Sequence, residues 1–125
     1  MAAAVLLALA SALGALGTHA LQYILTPSGL SAYEVAVRYQ FFHGLGLFGM
    51  GLAMRDRASP LLETSAWLVL VGVVIFSGSI YALCFGAPRF IGFATPLGGI
   101  GLISGWLLFA LGYWRACGSK PITNP

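Results

Sequence analysis

The chain has 125 residues, of which 59% are hydrophobic and only 7% carry an Asp, Glu, Lys or Arg side chain. Soluble domains are about 25% charged, so this composition excludes an ordinary water-soluble protein. The formal net charge of +3 comes from few basic residues at the ends of apolar segments, a distribution that does not indicate a nucleic-acid-binding surface.

Four apolar segments are each long enough to cross a membrane. They cover about residues 3–22, 37–54, 64–83 and 95–114. A hydrocarbon core about 30 Å thick needs about 20 residues of helix, and the segments lack the alternation of strands. The sequence therefore predicts an all-α membrane protein, a compact antiparallel bundle of four transmembrane helices. It forms one domain, residues 1–117, followed by a disordered tail at 118–125.

The ends of these segments predict the orientation. The first segment lacks the positively charged start of a signal peptide, so it is expected to stay as a helix. With four spans, one side carries most of the basic residues, namely Arg55, Arg57, Arg115 and Lys120, whereas the other carries Arg38 and Arg89. An excess of Lys and Arg marks the cytoplasmic face. Both termini are therefore predicted to be cytoplasmic.

The loops contain signals for the helix ends. In the first loop, Ser31 and Glu34 fit a capping box that would start the second helix at about Ala32. Glu34 and Arg38 are four residues apart, so they are predicted to form an ion pair at the membrane interface. Thr95 precedes a proline and is a candidate N-cap of the fourth helix.

Small residues recur at heptad spacing and predict close helix packing, since small faces let helices approach in lipid. The glycines assigned to these faces are Gly44, Gly51, Gly72, Gly98, Gly101, Gly105 and Gly112. On the first segment, Ala4, Ser11 and Thr18 keep the same interval. A face of small residues that packs against no other helix of the chain would suit another subunit or a second copy of the chain.

Polar side chains from all four segments are expected to form one layer in the outer half of the membrane. They are His19, Gln22, Gln40, His43, Ser77, Ser79, Tyr81 and Thr95. Because unpartnered polar groups in hydrocarbon cost several kcal/mol, one interpretation is that they satisfy one another, with His43 bonded to His19, Tyr81 or a serine.

Three functional interpretations of this layer compete with the structural one. The layer would line a pocket for a small amphiphile such as a quinone or lipid. Alternatively, His19 and His43 would ligate a haem, or the layer would serve a proton or solute path. The almost purely apolar inner half of the helices argues against such a path.

The sequence contains no motif of a known catalytic site, since no nucleophile elbow, HExxH or P-loop occurs. Cys84 and Cys117 fall on opposite sides, too far apart for a disulfide. We expect no catalytic residues, no metal and no cofactor.

Four ordered segments resemble the signature segments of the YgdD/YwdK family of small bacterial membrane proteins, which has relatives among small transmembrane proteins of mitochondria. They are GALGTHAL (14–21), YQFFHGLGL (39–47), FSGSIYALC (76–84) and TPLGGIGLISGWLL (95–108). Thr18 stands where the family usually has alanine. The resemblance implies a multi-pass protein of the bacterial inner membrane with about four helices, and it supplies no established catalytic or binding residues.

The favoured hypothesis is a non-enzymatic accessory or assembly subunit of a larger inner-membrane complex, for example a respiratory or photosynthetic one. It depends on the surplus of small helix faces, the apolar third loop and the missing catalytic groups. The alternative is a protein that binds or transports an amphiphile. The expected partners are membrane lipids and either other membrane subunits or further copies of the chain, and no nucleic acid.

Overall fold

Four α-helices make up most of the computed structural model, which describes residues 1–118. They are α1 (Ala2–His19), α2 (Pro27–Ala53), α3 (Pro60–Cys84) and α4 (Ala94–Gly118). Short 3-10 helices at Leu21–Tyr23 and Arg89–Phe93 precede α2 and α4, and residues 1–118 contain no strand. The all-α prediction is confirmed. The predicted tail lies outside the described residues, apart from Gly118.

Three helical segments are long and apolar enough to cross a membrane, namely Ala2–Tyr23, Pro60–Cys84 and Arg89–Gly118. The helix α2 is not among them, although its 27 residues extend about 40 Å at 1.5 Å per residue. Its charged and polar residues, Glu34, Arg38, Gln40 and His43, lower its mean hydropathy. Length and composition therefore support three of the four predicted spans.

The start of α2 differs from the prediction. The helix begins at Pro27, and the hydroxyl of Thr26 caps it by accepting a hydrogen bond of 3.2 Å from the N–H of Gly29. Proline suits this position because the first helical N–H has no intrahelical partner. The predicted capping box of Ser31 and Glu34 is wrong, since both residues lie inside the helix.

The later helices begin in different ways. The hydroxyl of Ser59 accepts a hydrogen bond of 3.3 Å from the N–H of Leu62, with Pro60 as the first residue of α3. The helix α4 begins at Ala94, so Thr95 lies within its first turn and the predicted N-cap role is wrong. The Thr95 hydroxyl instead contacts α3, as described below.

Glycines bring α3 and α4 into backbone contact. A Cβ atom on Gly98 would lie 2.5 Å from the backbone nitrogen of Phe76, and one on Gly105 would lie 2.7 Å from Cγ2 of Val69. Two further glycines, Gly72 and Gly101, face each other between these points, and Gly112 packs on Leu62. The contacts run in opposite directions along the two helices. All five glycines predicted on α3 and α4 therefore lie at one interface.

The two glycines predicted to pack on α2 differ in their surroundings. A Cβ atom on Gly44 would lie 3.0 Å from Cδ2 of Leu7, so Gly44 packs against α1. Gly51 is exposed, and a Cβ atom there would meet no atom within 4 Å. The packing role predicted for Gly51 is therefore absent within a single chain.

The helices pack in chain order, α1 on α2, α2 on α3 and α3 on α4. A small apolar core joins all four helices, formed by Leu6, Met50, Val69, Val73 and Leu102. Most large apolar side chains outside this core are exposed, as on Phe42, Leu107 and Trp114. Such a surface suits hydrocarbon rather than water. The packing order leaves grooves between helices that are not neighbours in the chain.

Candidate functional site: a saturated polar interior and an aromatic cleft

Gln40 is the centre of the buried polar groups and connects three helices. It is 5% exposed. Its side-chain Nε2 donates a hydrogen bond of 3.0 Å to the backbone carbonyl of Leu6 in α1. The hydroxyl of Tyr81 in α3 donates a bond of 2.9 Å to its Oε1. Both ends of the Gln40 amide are therefore occupied by other helices, and the side chain sets the register of α1, α2 and α3.

Other interior polar groups are also paired between helices. The Ser77 hydroxyl of α3 donates to the Ala36 carbonyl of α2 at 2.9 Å. The hydroxyls of Ser79 and Thr95 lie 2.7 Å apart and join α3 to α4. Within residues 1–118, no buried side-chain nitrogen or oxygen lacks a hydrogen-bond partner. These hydrogen bonds therefore stabilise the packing of the helices, and each buried polar side-chain atom of residues 1–118 already has a partner.

Tyr33 belongs to this interior, although it is not among the residues of the predicted polar layer. It is fully buried, and its hydroxyl donates a hydrogen bond of 2.8 Å to the carbonyl of Leu13 in α1. A Cβ atom on Gly17 would lie 2.9 Å from the Tyr33 ring, so this glycine makes room for the ring. Gly17 was the sequence feature that could have indicated this contact. Because α2 was predicted to start at about Ala32 and not at Pro27, the contact was not expected.

The predicted polar layer is correct only in part, because Gln40, Ser77, Ser79, Tyr81 and Thr95 form hydrogen bonds between helices whereas the histidines and Gln22 do not join them. His19 and Gln22 are exposed near the end of α1, outside the interior network. The contact of Gly17 with Tyr33 places His19 near the level of Tyr33. His43 lies ten residues further along α2, or about 15 Å at 1.5 Å per residue.

This separation decides against the haem interpretation. Two axial ligands must approach one iron atom from opposite sides within a few Å. The depths of His19 and His43 place them too far apart for that arrangement. The described residues also contain no group of three or more His, Cys, Asp or Glu side chains that suits a metal ion, and Cys84 and Cys117 are both free.

His43 lies in a cleft between α2, α3 and α4 that we call the aromatic cleft. It is open to the surface, has a volume of about 450 Å³, and is lined by Arg38, Tyr39, Phe42, His43, Phe76, Ile103 and Trp106, among others. Cavities of 300–1,000 Å³ or so, apolar with a few polar groups, are typical of ligand sites. The aromatic cleft fits that description.

The rings of the aromatic cleft form a connected series. Tyr39 and Phe76 stack with centroids 4.4 Å apart, and Tyr39 and His43 stack at 5.6 Å. His43 and Trp106 are tilted, with centroids 6.4 Å apart. Trp106 crosses from α4 to α2, where a Cβ atom on Gly46 would lie 2.5 Å from its ring. The glycine therefore allows the indole to close one end of the cleft.

The hydrogen bond predicted from His43 to His19, Tyr81 or a serine is wrong. Its Nδ1 lies 2.8 Å from the backbone carbonyl of Tyr39, one turn earlier in the same helix. A carbonyl oxygen only accepts, so Nδ1 carries the proton. In the neutral ring, Nε2 is then an acceptor, and the structure gives it no hydrogen-bond partner in residues 1–118.

Arg38 contributes the one charged side chain of the aromatic cleft. It also lines a neighbouring depression together with Glu34. Both side chains are exposed, and no ion pair joins them in the structure of residues 1–118. Arg38 therefore lines the cleft without forming the predicted ion pair.

Comparison with other proteins identifies the family. A family model described as Protein of unknown function (DUF423) matches residues 13–99. A UPF0382 membrane protein of Staphylococcus saprophyticus is 40% identical over 102 residues, 82% of this chain and 84% of the relative. A UPF0382 membrane protein of Haemophilus influenzae is 39% identical over 106 residues, 84% of each chain.

A relative in Escherichia coli strain K12 is named for the inner membrane. This UPF0382 inner membrane protein YgdD is 36% identical over 104 residues, 83% of this chain and 79% of the relative. No solved structure matches the chain. The resemblance drawn from the four sequence segments is confirmed, and the chain belongs to the DUF423 family of membrane proteins.

Proposed function

We propose that this protein crosses the bacterial inner membrane four times, as an antiparallel bundle with cytoplasmic termini, and binds a small amphiphile in the aromatic cleft. Under this proposal residues 1–117 form one transmembrane domain. The helix α2 also crosses the membrane, because its amide Gln40 faces the interior, where Leu6 and Tyr81 satisfy it. The basic residues near Arg57 and Arg115 support a cytoplasmic position for that end.

The observation that carries the binding proposal is the contrast between His43 and the other polar groups. Interior amide and hydroxyl groups are paired, whereas His43, whose Nε2 has no hydrogen-bond partner among residues 1–118, lines a cleft with aromatic walls. An ionisable side chain within a membrane indicates a functional site. A bound molecule with a polar head and an apolar body would satisfy the imidazole and cover the rings.

Filling the cleft tests the proposal. Gly99 lines the aromatic cleft, and a Cβ atom there would lie 3.9 Å from Cδ2 of Phe76, an ordinary contact. We expect Gly99→Leu to fold normally and to lose most of the thermal stabilisation that added quinones or lipids give the wild type in detergent. Gly49 is exposed with open space beside it, so Gly49→Leu is the matched control and should keep that stabilisation.

Two results would contradict the binding proposal. One is the absence of stabilisation of the wild-type protein by any amphiphile in the panel. The other is equal stabilisation of the wild type and Gly99→Leu, which would place the bound molecules elsewhere on the lipid-facing surface.

A second candidate function is that of an accessory subunit held to a larger inner-membrane complex by α1. One face of α1 carries small side chains at alternating intervals of four and three residues, all exposed, namely Ala4, Ala8, Ser11, Ala15 and Thr18. The two hydroxyls donate to their own helix, to the carbonyls of Leu7 and Gly14. Such a face admits a transmembrane helix of another subunit at close distance.

Enlarging this face tests the second candidate. We expect Ala8→Phe combined with Ala15→Phe to release the protein from its complex on native gels of mildly solubilised membranes. Leu16 is exposed outside the small face, so Leu16→Phe is the control and should leave the complex intact. Migration of the wild type as a single chain would contradict this candidate. Migration as a homodimer would also contradict it, since the face would then bind a second copy of the chain and not another subunit.

A further inference from the structure

We propose that the molecule bound in the aromatic cleft is an alkylated hydroquinone, a flat ring that donates a hydroxyl hydrogen bond to Nε2 of His43. This inference rests on the proposed function, since it names the chemical class that the cleft binds. Three features support it: the hydrogen-bonding state of His43, the shape of the walls and the position of Arg38.

The hydrogen-bonding state of the neutral His43 ring favours a ligand that donates. The imidazole gives its Nδ1 proton to the Tyr39 carbonyl at 2.8 Å, and the neutral ring then has only a lone pair at Nε2. Acyl chains and ester oxygens have no proton to donate to that lone pair. A phenolic hydroxyl donates one hydrogen bond and keeps its oxygen as an acceptor, so it complements His43.

The walls favour a flat ring. Aromatic side chains line the cleft on all three of its helices, with Tyr39 from α2, Phe76 from α3 and Trp106 from α4. Aromatic pairs prefer offset stacking or edge-to-face contact, and such pairs contribute about 0.5–1.5 kcal/mol beyond burial. An aromatic ligand extends the existing series of rings, and its alkyl tail leaves along Phe42 and Ile103 towards the hydrocarbon.

Arg38 adds a second polar contact nearer the start of α2. It precedes His43 by five residues, or about 7.5 Å along the helix. Guanidinium groups donate hydrogen bonds and never accept them. The two polar side chains of the cleft therefore offer an acceptor at His43 and a donor at Arg38. The two oxygens of a hydroquinone complement this pair, since one donates to His43 and the other accepts from Arg38.

A matched pair of ligands tests the donated hydrogen bond. The probes are decylhydroquinone and its dimethyl ether, which share the ring and tail but differ in the ability to donate. Trp67 and Trp114 are exposed at 65% and 75%, so replacing both by Phe leaves Trp106 as the reporter in the cleft. Fluorescence titration in detergent under argon should give a Kd about tenfold lower for the hydroquinone.

Variants of His43 separate the hydrogen bond from general hydrophobic binding. His43→Leu should make the two affinities equal by weakening hydroquinone binding alone, and His43→Gln, which restores an acceptor, should recover part of the difference. If His43→Leu fails to fold, the comparison of the two ligands on the protein with an intact His43 still decides the proposal.

Each other outcome has a distinct meaning. Equal binding of hydroquinone and ether by the protein with His43 overturns the inference and leaves amphiphile binding intact. Binding of phosphatidylglycerol but neither probe, with loss in Gly99→Leu, overturns the inference in favour of an anionic headgroup at Arg38. Absence of binding by every probe overturns both the inference and the proposed function.

Discussion

Replacing Gly98 by alanine is expected to lower the free energy of unfolding by about 3 kcal/mol, because the added methyl group forces α3 and α4 apart. The new Cβ atom would lie 2.5 Å from the backbone nitrogen of Phe76 and 2.9 Å from the carbonyl oxygen of Gly72. Both neighbours are backbone atoms of α3, so no side-chain rotation relieves the contact. Reversible unfolding in mixed detergent micelles measures this change.

Gly49→Ala is the matched control for the effect of alanine on a helix. Gly49 lies within α2, and a Cβ atom there would meet nothing within 4 Å. Glycine within a helix is less favourable than alanine by about 0.5–1 kcal/mol, so the control should be neutral or slightly stabilising. Equal stability of the two variants would show that α3 and α4 do not approach as closely as described.

Replacing Gln40 by leucine is the second large expected effect, a loss of about 2 kcal/mol in the free energy of unfolding. Leucine cannot donate to the Leu6 carbonyl or accept from the Tyr81 hydroxyl. The Leu6 carbonyl remains part of the α1 helix, but the Tyr81 hydroxyl loses its hydrogen-bond acceptor in the buried interior. Unfolding of the purified variant under the same detergent conditions measures the loss.

A double-mutant cycle separates the free-energy cost of the unpaired Tyr81 hydroxyl from the cost of the lost packing. Because removing both partners of a buried hydrogen bond costs less than removing one, Gln40→Leu combined with Tyr81→Phe should be more stable than Gln40→Leu alone, by about 1 kcal/mol. Additive effects of the two substitutions would contradict the bond between these residues.

The helix content and the close packing of the small faces on α3 and α4 were predictable because their signals are local. A helix that crosses a membrane must be long and apolar, and a close interface between two helices shows as glycines at heptad spacing. The positions Gly98, Gly105 and Gly112 therefore predicted a closely packed face of α4, although their spacing does not identify the helix that lies opposite. The start of α2 was missed because Thr26 and Pro27 form an earlier start signal than the predicted box.

The aromatic cleft was less predictable because it depends on how the helices are arranged around one another. Gln40 and His43 are three residues apart and share one side of α2, yet Gln40 bonds to α1 and α3 while His43 meets Trp106 of α4. Residue spacing does not reveal which helix lies opposite each side chain. The depths of His19 and His43 were misjudged for a related reason, since they depend on the register between α1 and α2.

Native mass spectrometry of the protein, extracted from its own membrane in polymer nanodiscs, shows whether the aromatic cleft holds an amphiphile. We expect one small amphiphile per chain in the wild type and in Gly49→Leu, and none in Gly99→Leu. Chains without a bound molecule in all three proteins, or the same bound lipids in all three, would contradict this expectation.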